Sequence, residues 1–208
     1  VLVDGAVLAG NGRNESAVDL AQFALGAALQ SGGCQAVDIS EFAVGGLVKE
    51  GDGIGREELA CGTGRNGLFL ASQGLPVVFA DRSAEALSEV RQQLSARGLV
   101  AETWHVDLET GDDPLAGKQF GAALVFRYLH RPLMPRLAAS IAPGGLVIYE
   151  TFTVHNLRYG RPNNPEFLLL GGELPAYFPG FTTLHAFEGF LPGPDREVAQ
   201  LVARKPLR

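Results

Sequence analysis

A glycine-rich turn followed by an acid carries the clearest chemical signal in the chain. The turn spans residues 62–67 and has the sequence GTGRNG, and its first two glycines remove the Cβ atoms that would keep a ligand off the backbone. The amides of residues 63–66 then open a helix, whose amino-terminus attracts electron-rich groups, and Gly74 is expected to end this helix. The β-branched run that follows carries Asp81 to the end of a strand, where its carboxylate can accept hydrogen bonds from both hydroxyls of a ribose. This spacing predicts an adenosine site.

Alternating strands and helices must position these residues. After Asp81, Ser83 is a good N-cap for a helix through Arg97, and Gly98 is its stop. Strands are predicted at residues 102–106, 121–126 and 146–150, with a helix at 133–141 and a turn at 143–145. The order βαβαβ predicts a parallel sheet with right-handed crossovers. Two β-rich runs at 182–190 and 197–204 lie close enough in sequence to pair as an antiparallel hairpin.

Residues 1–56 are predicted to form an amino-terminal extension that packs on a main domain at residues 57–208. They have a strand, helix, strand pattern of their own, and residues 10–14 echo the turn at 62–66. We interpret the echo as coincidence or packing, so one cofactor per chain is expected. The residues just before the main turn are polar and glycine-rich, which puts the first central strand in doubt. A strand at residues 1–8 could take its place in the sheet.

Composition argues against several partners. The 208-residue chain is 46% hydrophobic, and its net charge of −6 opposes binding to nucleic acid or to an anionic membrane. Its two cysteines form no CxxC pair, which favours a reducing compartment, and no apolar run is long enough to span a bilayer. The four histidines show no metal-binding spacing. We therefore expect a cytoplasmic monomer or homodimer that binds no nucleic acid, membrane or metal.

Further motifs extend the signal of the turn and of Asp81. Glu58 precedes the turn, Cys61 lies inside it, and related segments follow at residues 106–108, 125–131, 142–145 and 149–152. This set resembles the motifs of class I S-adenosylmethionine-dependent methyltransferases, and within them the small-molecule branch related to tellurite-resistance methyltransferases. The resemblance implies an α/β fold that is Rossmann-like and doubly wound, with a mostly parallel sheet ending in an antiparallel hairpin. It also implies S-adenosyl-L-methionine as the cofactor.

The same resemblance implies cofactor contacts residue by residue. Glu58 and the turn would hold the methionine moiety, Asp81 the ribose, and Asp107 with Leu108 the adenine. The full set of expected cofactor-binding residues is Glu58, Ala60, Cys61, Gly62, Thr63, Gly64, Asn66, Asp81, Arg82, Asp107, Leu108 and Phe126. For Asp107, a strand-end or capping role is the alternative.

Residues after the later strands are candidates for binding the methyl acceptor, since open α/β sheets bind ligands at the carboxyl ends of their strands. Five arginines fall between residues 127 and 161, and a planar guanidinium suits oxyanions and carboxylates. One interpretation is a solvated face, and the other is a lid over a small anionic, chalcogen or metalloid acceptor. The expected catalytic residues are Arg127, His130, Tyr159 and Arg161, with His130 or Tyr159 as the base or orienting group.

Two other functions share some of these features. A nicotinamide-dependent oxidoreductase has the same glycine turn and ribose acid, but the chain has no Tyr-x-x-x-Lys pair. A non-catalytic module could keep the fold and the cofactor without turnover. The motifs favour the methyltransferase and leave the acceptor atom open among oxygen, nitrogen, sulfur and a metalloid.

Overall fold

Within the part of the chain that the structure describes, seven strands form one mixed sheet. The computed structural model describes residues 55–207, with side chains from residue 59 onward. The strands are β1 (Gly55–Leu59), β2 (Val78–Asp81), β3 (Glu102–His105), β4 (Phe120–Phe126), β5 (Ile141–Phe152), β6 (Thr182–Leu191) and β7 (Arg196–Arg204). Their order is 3-2-1-4-5-7-6, with the first five parallel and β7 antiparallel to both β5 and β6. The predicted doubly wound sheet with a carboxyl-terminal hairpin is confirmed.

The described residues form four α-helices, α1 (Arg65–Ser72), α2 (Ala84–Ala96), α3 (Met134–Ser140) and α4 (Glu173–Ala176). The first two begin and end at the predicted signals, and α4 is not predicted from the sequence. The hydroxyl of Ser83 accepts a hydrogen bond from the amide of Ala86 at 3.1 Å at the start of α2. Gly74 and Gly98 adopt positive φ after α1 and α2, as expected of helix-ending glycines. The helix expected at 133–141 is α3, which follows a 3-10 turn.

Alternation along the central strands divides the core between the two faces of the sheet. On β4, Ala122 and Leu124 pack with Phe79 in the cluster that includes α1 and α2. Ala123 and Val125 pack in the cluster that includes α3. All five side chains are at most 5% exposed. A strand covered on both faces has a continuous apolar sequence, which is why β4 is predictable from its sequence.

β1 lies at the centre of the sheet, although the sequence before the turn is polar and glycine-rich. It pairs in parallel with β2 and β4, with Leu59 opposite Ala80 on one side and Val125 on the other. The doubt about the first strand is therefore wrong, because apolar neighbours on both sides and the fully buried Leu59 supply its packing. Residues 55 and 56 already belong to this strand. The predictions for residues 1–54 lie outside the described part of the chain.

The turn expected at residues 143–145 is part of β5, where it forms a bulge. The register between β4 and β5 shifts between residues 120 and 122, and β5 carries several extra residues there. Gly144 has a φ of 79°, and its amide donates to the carbonyl of Lys205 at 3.0 Å. The glycines still bend the chain, but pairing on both sides keeps the segment within the strand.

Candidate functional site

A cavity of about 340 Å³ opens at the carboxyl edge of the sheet. The loops after β1 to β5 converge there because the carboxyl ends of parallel strands share one edge. The wall consists of Ala60, Asp81, Arg82, Val106, Asp107, Leu108, Glu109, Arg127, Tyr128, Leu129, Phe152, Pro162 and Phe167. The predicted site residues in this wall are Ala60, Asp81, Arg82, Asp107, Leu108 and Arg127.

Asp81 joins two turns at the end of β2. Its Oδ2 accepts a hydrogen bond from the amide of Gly62 at 2.8 Å, and its Oδ1 accepts one from the amide of Ser83 at 2.9 Å. Each carboxylate oxygen has a further lone pair, and the side chain lines the cavity. Asp81 can therefore accept two hydroxyl hydrogen bonds from a ribose while it holds the glycine turn against β2. The ribose-binding role is the one expected from the sequence, whereas the hold on the glycine turn is visible in the structure alone.

The first two glycines of the turn serve different purposes. Gly62 has a φ of 52°, and a Cβ added to it would meet no atom within 4 Å, so the space beside its backbone is open. Gly64 has a φ of 71°, but its Cβ would lie 2.8 Å from Val90 and 2.9 Å from Phe79. Gly62 keeps space free for a ligand, whereas Gly64 lets the start of α1 pack closely against β2 and α2. For Gly64 the structure thus gives a packing reason in place of the expected ligand reason.

Two residues of the cavity wall have left-handed backbones although neither is glycine. Ala60 has a φ of 52° and Arg127 a φ of 56°, and they follow the neighbouring strands β1 and β4. This conformation costs an L-residue about 1–2 kcal/mol. Hydrogen bonds hold it in place: the amide of Cys61 donates to the carbonyl of Ala80 at 3.0 Å, and the amide of Arg127 to that of Glu150 at 2.8 Å. Strain of this kind concentrates at functional sites.

Tyr128 lines the cavity and is not one of the expected site residues, although it lies in the segment after β4 that the sequence favours for the acceptor. Its hydroxyl is buried and has no hydrogen-bond partner among the described residues. Burial, assisted by the charges of Glu109 and Asp107, raises the pKa of Tyr128, so the hydroxyl keeps its proton at neutral pH. The buried hydroxyl of Tyr149 donates to the carbonyl of Tyr128 at 2.9 Å and fixes this loop to β5. Tyr128 therefore carries, beside the cavity, a buried donor with no partner in the described part of the chain, and such burial is unfavourable.

The loops after β2 and β3 form the acidic end of the cavity. Asp107 accepts a hydrogen bond from the amide of Glu109 at 2.9 Å in the turn after β3, as a strand-end acid does, and no helix begins there for it to cap. Glu109 also forms an ion pair with Arg82 at 3.6 Å, which joins the two loops. Leu108 is buried and gives this end an apolar surface. Carboxylates beside an apolar wall are suited to a sugar and a flat base.

The other residues expected to contact the cofactor are not part of the cavity wall. Cys61 and Asn66 are buried in and after the turn, and Thr63 is exposed. Phe126 packs against the core cluster that includes α1 and α2. The backbone of Glu58 lies in β1, and its side chain is outside those described.

Of the four expected catalytic residues, the structure brings Arg127 to the cavity wall. The central carbon of its guanidinium lies 6.0 Å from the centroid of the Phe152 ring. Burial lowers the pKa of Arg127, and the nearby charge of Glu150 acts in the opposite direction. The side chain therefore supplies a positive charge next to an aromatic surface.

The other three expected catalytic residues lie elsewhere. The carbonyl of His130 accepts the first hydrogen bond of the 3-10 turn before α3. Tyr159 stacks on Phe190, with ring centroids 5.4 Å apart. Arg161 is exposed, and the next residue, Pro162, reaches the wall in its place. The four residues are not gathered around one point.

Arg131 fastens the segment that follows β5. Its Nε and Nη2 donate to the carboxylate of Glu173 at 2.6 and 3.0 Å. Its Nη1 donates to the carbonyl of Glu166 and its Nη2 to that of Leu168, each at 2.8 Å. One of the five clustered arginines thus has a structural role, which neither interpretation of the cluster anticipated.

The described residues also limit what else the site can hold. No group of three or more His, Cys, Asp and Glu side chains within residues 59–207 is placed to hold a metal ion. In the same part of the chain, no helix is long and apolar enough to cross a membrane. The cavity itself offers carboxylates, an arginine and aromatic rings.

Residues 58–145 match a family model described as a methyltransferase domain. Among solved structures, TehB from Haemophilus influenzae is 19% identical with a TM-score of 0.58, and the match covers 72% of this chain and 57% of that chain. The chain thus spans less than two thirds of the length of TehB. A S-adenosylmethionine-dependent methyltransferase from Clostridium acetobutylicum ATCC 824 is 13% identical with a TM-score of 0.56, over 73% and 84%. The [4+2]-cyclase SpnF is 16% identical with a TM-score of 0.64, over 96% and 86%.

At these identities the solved structures show a shared fold. No curated protein sequence matches the chain. The family match covers the glycine turn, Asp81 and the loops after β3 and β4, and it ends before Phe152, Pro162 and Phe167. That part of the wall lies outside the family match.

Proposed function

We propose that the chain transfers the methyl group of S-adenosyl-L-methionine to a small molecule, since residues 58–145 match a family model described as a methyltransferase domain and the fold is shared with a solved S-adenosylmethionine-dependent methyltransferase. The observation that carries this proposal is Asp81, which lines the cavity, holds the amide of Gly62 and keeps lone pairs for a ribose. The wall after β4 and β5 continues the same cavity and supports an acceptor site beside the cofactor.

The residues present suit this cofactor. The open space beside Gly62 would admit a ligand close to the backbone of the turn. Asp81 would bind the ribose hydroxyls, and the loop with Asp107 and Leu108 would flank the adenine. The unpaired hydroxyl of Tyr128 would donate a hydrogen bond to the nucleoside or to the acceptor.

The chemistry required of the protein is modest. When bound, the cofactor supplies a methyl group on a positively charged sulfur, which is already electrophilic. The chain must bring the acceptor into line with this methyl group and keep water away. The fixed backbones of Ala60 and Arg127 shape the cavity wall, and the rings of Phe152 and Phe167 would exclude water. Of the four residues expected to act on the acceptor, Arg127 lines the cavity, whereas His130 and Tyr159 do not, so we propose no proton-transfer role for them at this site.

Two measurements test the proposal. Calorimetric titration with S-adenosylhomocysteine, the demethylated product, should show one saturable site per chain, and titration with NAD⁺ should show none. Release of S-adenosylhomocysteine from S-adenosyl-L-methionine should then depend on an acceptor from a panel of small organic anions and oxyanions. Binding without turnover on the whole panel would support the non-catalytic module, and binding of NAD⁺ alone would support the oxidoreductase.

A further inference from the structure

The cavity has two chemically different halves. The loops that line the cavity follow strands in the order 3-2-1-4-5. The two outermost of these strands are four strand spacings apart, which is roughly 19 Å at ~4.8 Å per spacing. The loops after β2 and β3 supply three carboxylates and Arg82. The other half is walled by Arg127, Tyr128, Leu129, Phe152, Pro162 and Phe167. Among these six described residues, Arg127 is the one with a formal charge, so the second half is an apolar, aromatic surface with one cation.

Phe167 lies in this wall on a backbone that is held by hydrogen bonds to the peptide groups on either side of it. Its side chain is 49% exposed although it is aromatic. The guanidinium of Arg131 binds the carbonyls of Glu166 and Leu168, each at 2.8 Å, so one side chain grips the backbone on both sides of Phe167. A large apolar side chain that is exposed on a fixed backbone loses less freedom on contact with a ligand than one on a mobile backbone.

Glu173 keeps the guanidinium of Arg131 in place. Its carboxylate accepts hydrogen bonds from this guanidinium, from the amide of Leu170 at 2.7 Å and from the hydroxyl of Tyr177. Burial alone would raise the pKa of Glu173, but these hydrogen bonds outweigh it and lower the pKa to about 2. The pair is therefore ionised at neutral pH, and the position of Phe167 depends on a charge-assisted network.

Phe152 is tied to the same segment from β5. The amide of Leu169 donates to the carbonyl of Phe152, and the amide of Val154 donates to the carbonyl of Leu169, both at 2.9 Å. The chain just after Phe167 therefore pairs with the end of β5, and an isolated bridge forms there. With Arg127 placed 6.0 Å from the Phe152 ring, two aromatic rings and one cation are fixed around one half of the cavity.

We infer that the methyl acceptor has an aromatic body, which lies against Phe152 and Phe167, and an anionic group, which faces Arg127. This inference rests on the proposed function and narrows its small molecule to one class. An aromatic body gains dispersion and ring contacts from these walls, including Leu129 and Pro162, and a guanidinium suits a carboxylate. A bare chalcogen or metalloid oxyanion would make no use of the apolar surface.

Binding of 1-naphthoate to the full chain saturated with S-adenosylhomocysteine tests the inference, with sodium tellurite as the oxyanion probe. Calorimetry should detect naphthoate binding that tellurite does not displace. Phe167→Ala should weaken this binding about tenfold, and Phe167→Tyr should retain it. Phe190→Ala is the matched control, because Phe190 is similarly exposed, at 43%, but stacks on Tyr159 and is not in the cavity wall. It should change the affinity by less than about twofold.

Arg131 is a positioning residue in this scheme, since it acts through Phe167. Arg131→Lys keeps a positive charge near Glu173 but lacks the planar fork that holds both flanking carbonyls. It should weaken naphthoate binding by about the same factor as Phe167→Ala, and the double variant should weaken it no further. A general loss of stability would not produce this non-additivity. The affinity for S-adenosylhomocysteine should be unchanged in all these variants.

The outcomes separate the inference from the proposed function. Failure of S-adenosylhomocysteine to bind the unaltered chain would overturn both. If it binds, the inference alone fails when naphthoate does not bind, when tellurite displaces it, or when Phe167→Ala and Phe190→Ala have the same effect.

Discussion

Asp81→Asn removes one negative charge and one hydrogen-bond acceptor while it keeps the shape of the side chain. Both carboxylate oxygens are engaged, one by the amide of Gly62 at 2.8 Å and the other by the amide of Ser83 at 2.9 Å. The Asn side chain has a single oxygen, so one of these two backbone donors must face an NH₂ group and lose its partner. Either the glycine turn or the first turn of α2 is then released from the end of β2.

The size of the effect follows from the bonds that are lost. A hydrogen bond to a charged group contributes about 1.5–3 kcal/mol, so the free energy of unfolding should fall by about that amount. The partial exposure of Asp81 favours the lower end of this range. The ribose loses a charged acceptor as well, and at roughly 1.4 kcal/mol per factor of ten the affinity for S-adenosylhomocysteine should fall about 10- to 150-fold.

Urea denaturation and calorimetric titration of the same sample measure the two effects. Asp113→Asn is the matched control, because Asp113 accepts a hydrogen bond from the amide of Leu115 at 3.0 Å in a similar local turn and is not in the cavity wall. This variant should bind S-adenosylhomocysteine with unchanged affinity. The reasoning is refuted if Asp81→Asn binds the ligand as tightly as the unaltered protein.

Substitutions at the two turn glycines should have different effects on stability and on binding. Gly64→Ala should lower the free energy of unfolding by roughly 2–4 kcal/mol, because the added Cβ overlaps β2 and α2 at a residue with positive φ. Gly62→Ala should lower the free energy of unfolding by about 1 kcal/mol and mainly weaken cofactor binding. Denaturation and titration of both variants compare them, and equal losses of stability would contradict the distinction. Tyr128→Phe should leave the free protein as stable as before, since its hydroxyl has no partner among the described residues, and should weaken S-adenosylhomocysteine binding in calorimetry by about 5- to 10-fold. The pKa of Glu173 is lowered from 4.5 to about 2 in the folded chain, so its stabilising effect is complete above about pH 4.5 and is lost as the pH falls toward 2. Melting temperatures should therefore fall more steeply over that window in the unaltered protein than in Glu173→Gln, and parallel curves would count against the network.

Local signals account for what could be predicted from the sequence. Ser83 as an N-cap and Gly74 and Gly98 as helix ends depend on the preferences of a single side chain or backbone, so they are visible without knowledge of the fold. The apolar run of β4 is visible because it is covered on both faces. The sequence of β1 has no such apolar run. The strand forms because it pairs with β2 and β4, which are distant in sequence.

The acceptor half of the cavity depends on contacts that sequence analysis could not see. Arg131 was grouped with other arginines by its charge, but its partners lie 35 to 42 residues away along the chain. Tyr128 and Phe167 lie in segments that follow β4 and β5, but nothing in the sequence distinguishes them from the neighbouring aromatic residues. His130 and Tyr159 have suitable chemistry, but chemistry says nothing about proximity, and the fold does not bring either to the cavity wall.

The position of β7 between β5 and β6 constrains the order in which the sheet can be completed during synthesis. β6 is made first, but among the described strands it pairs with β7 alone. At about 5–20 residues per second, its ten residues wait on the order of a second with unpaired backbone groups until β7 leaves the ribosome. The short loop between them lets the two strands close as a hairpin and dock on β5 together. A ribosome that pauses just after β6 would therefore present a strand that is ready to pair with a neighbouring chain.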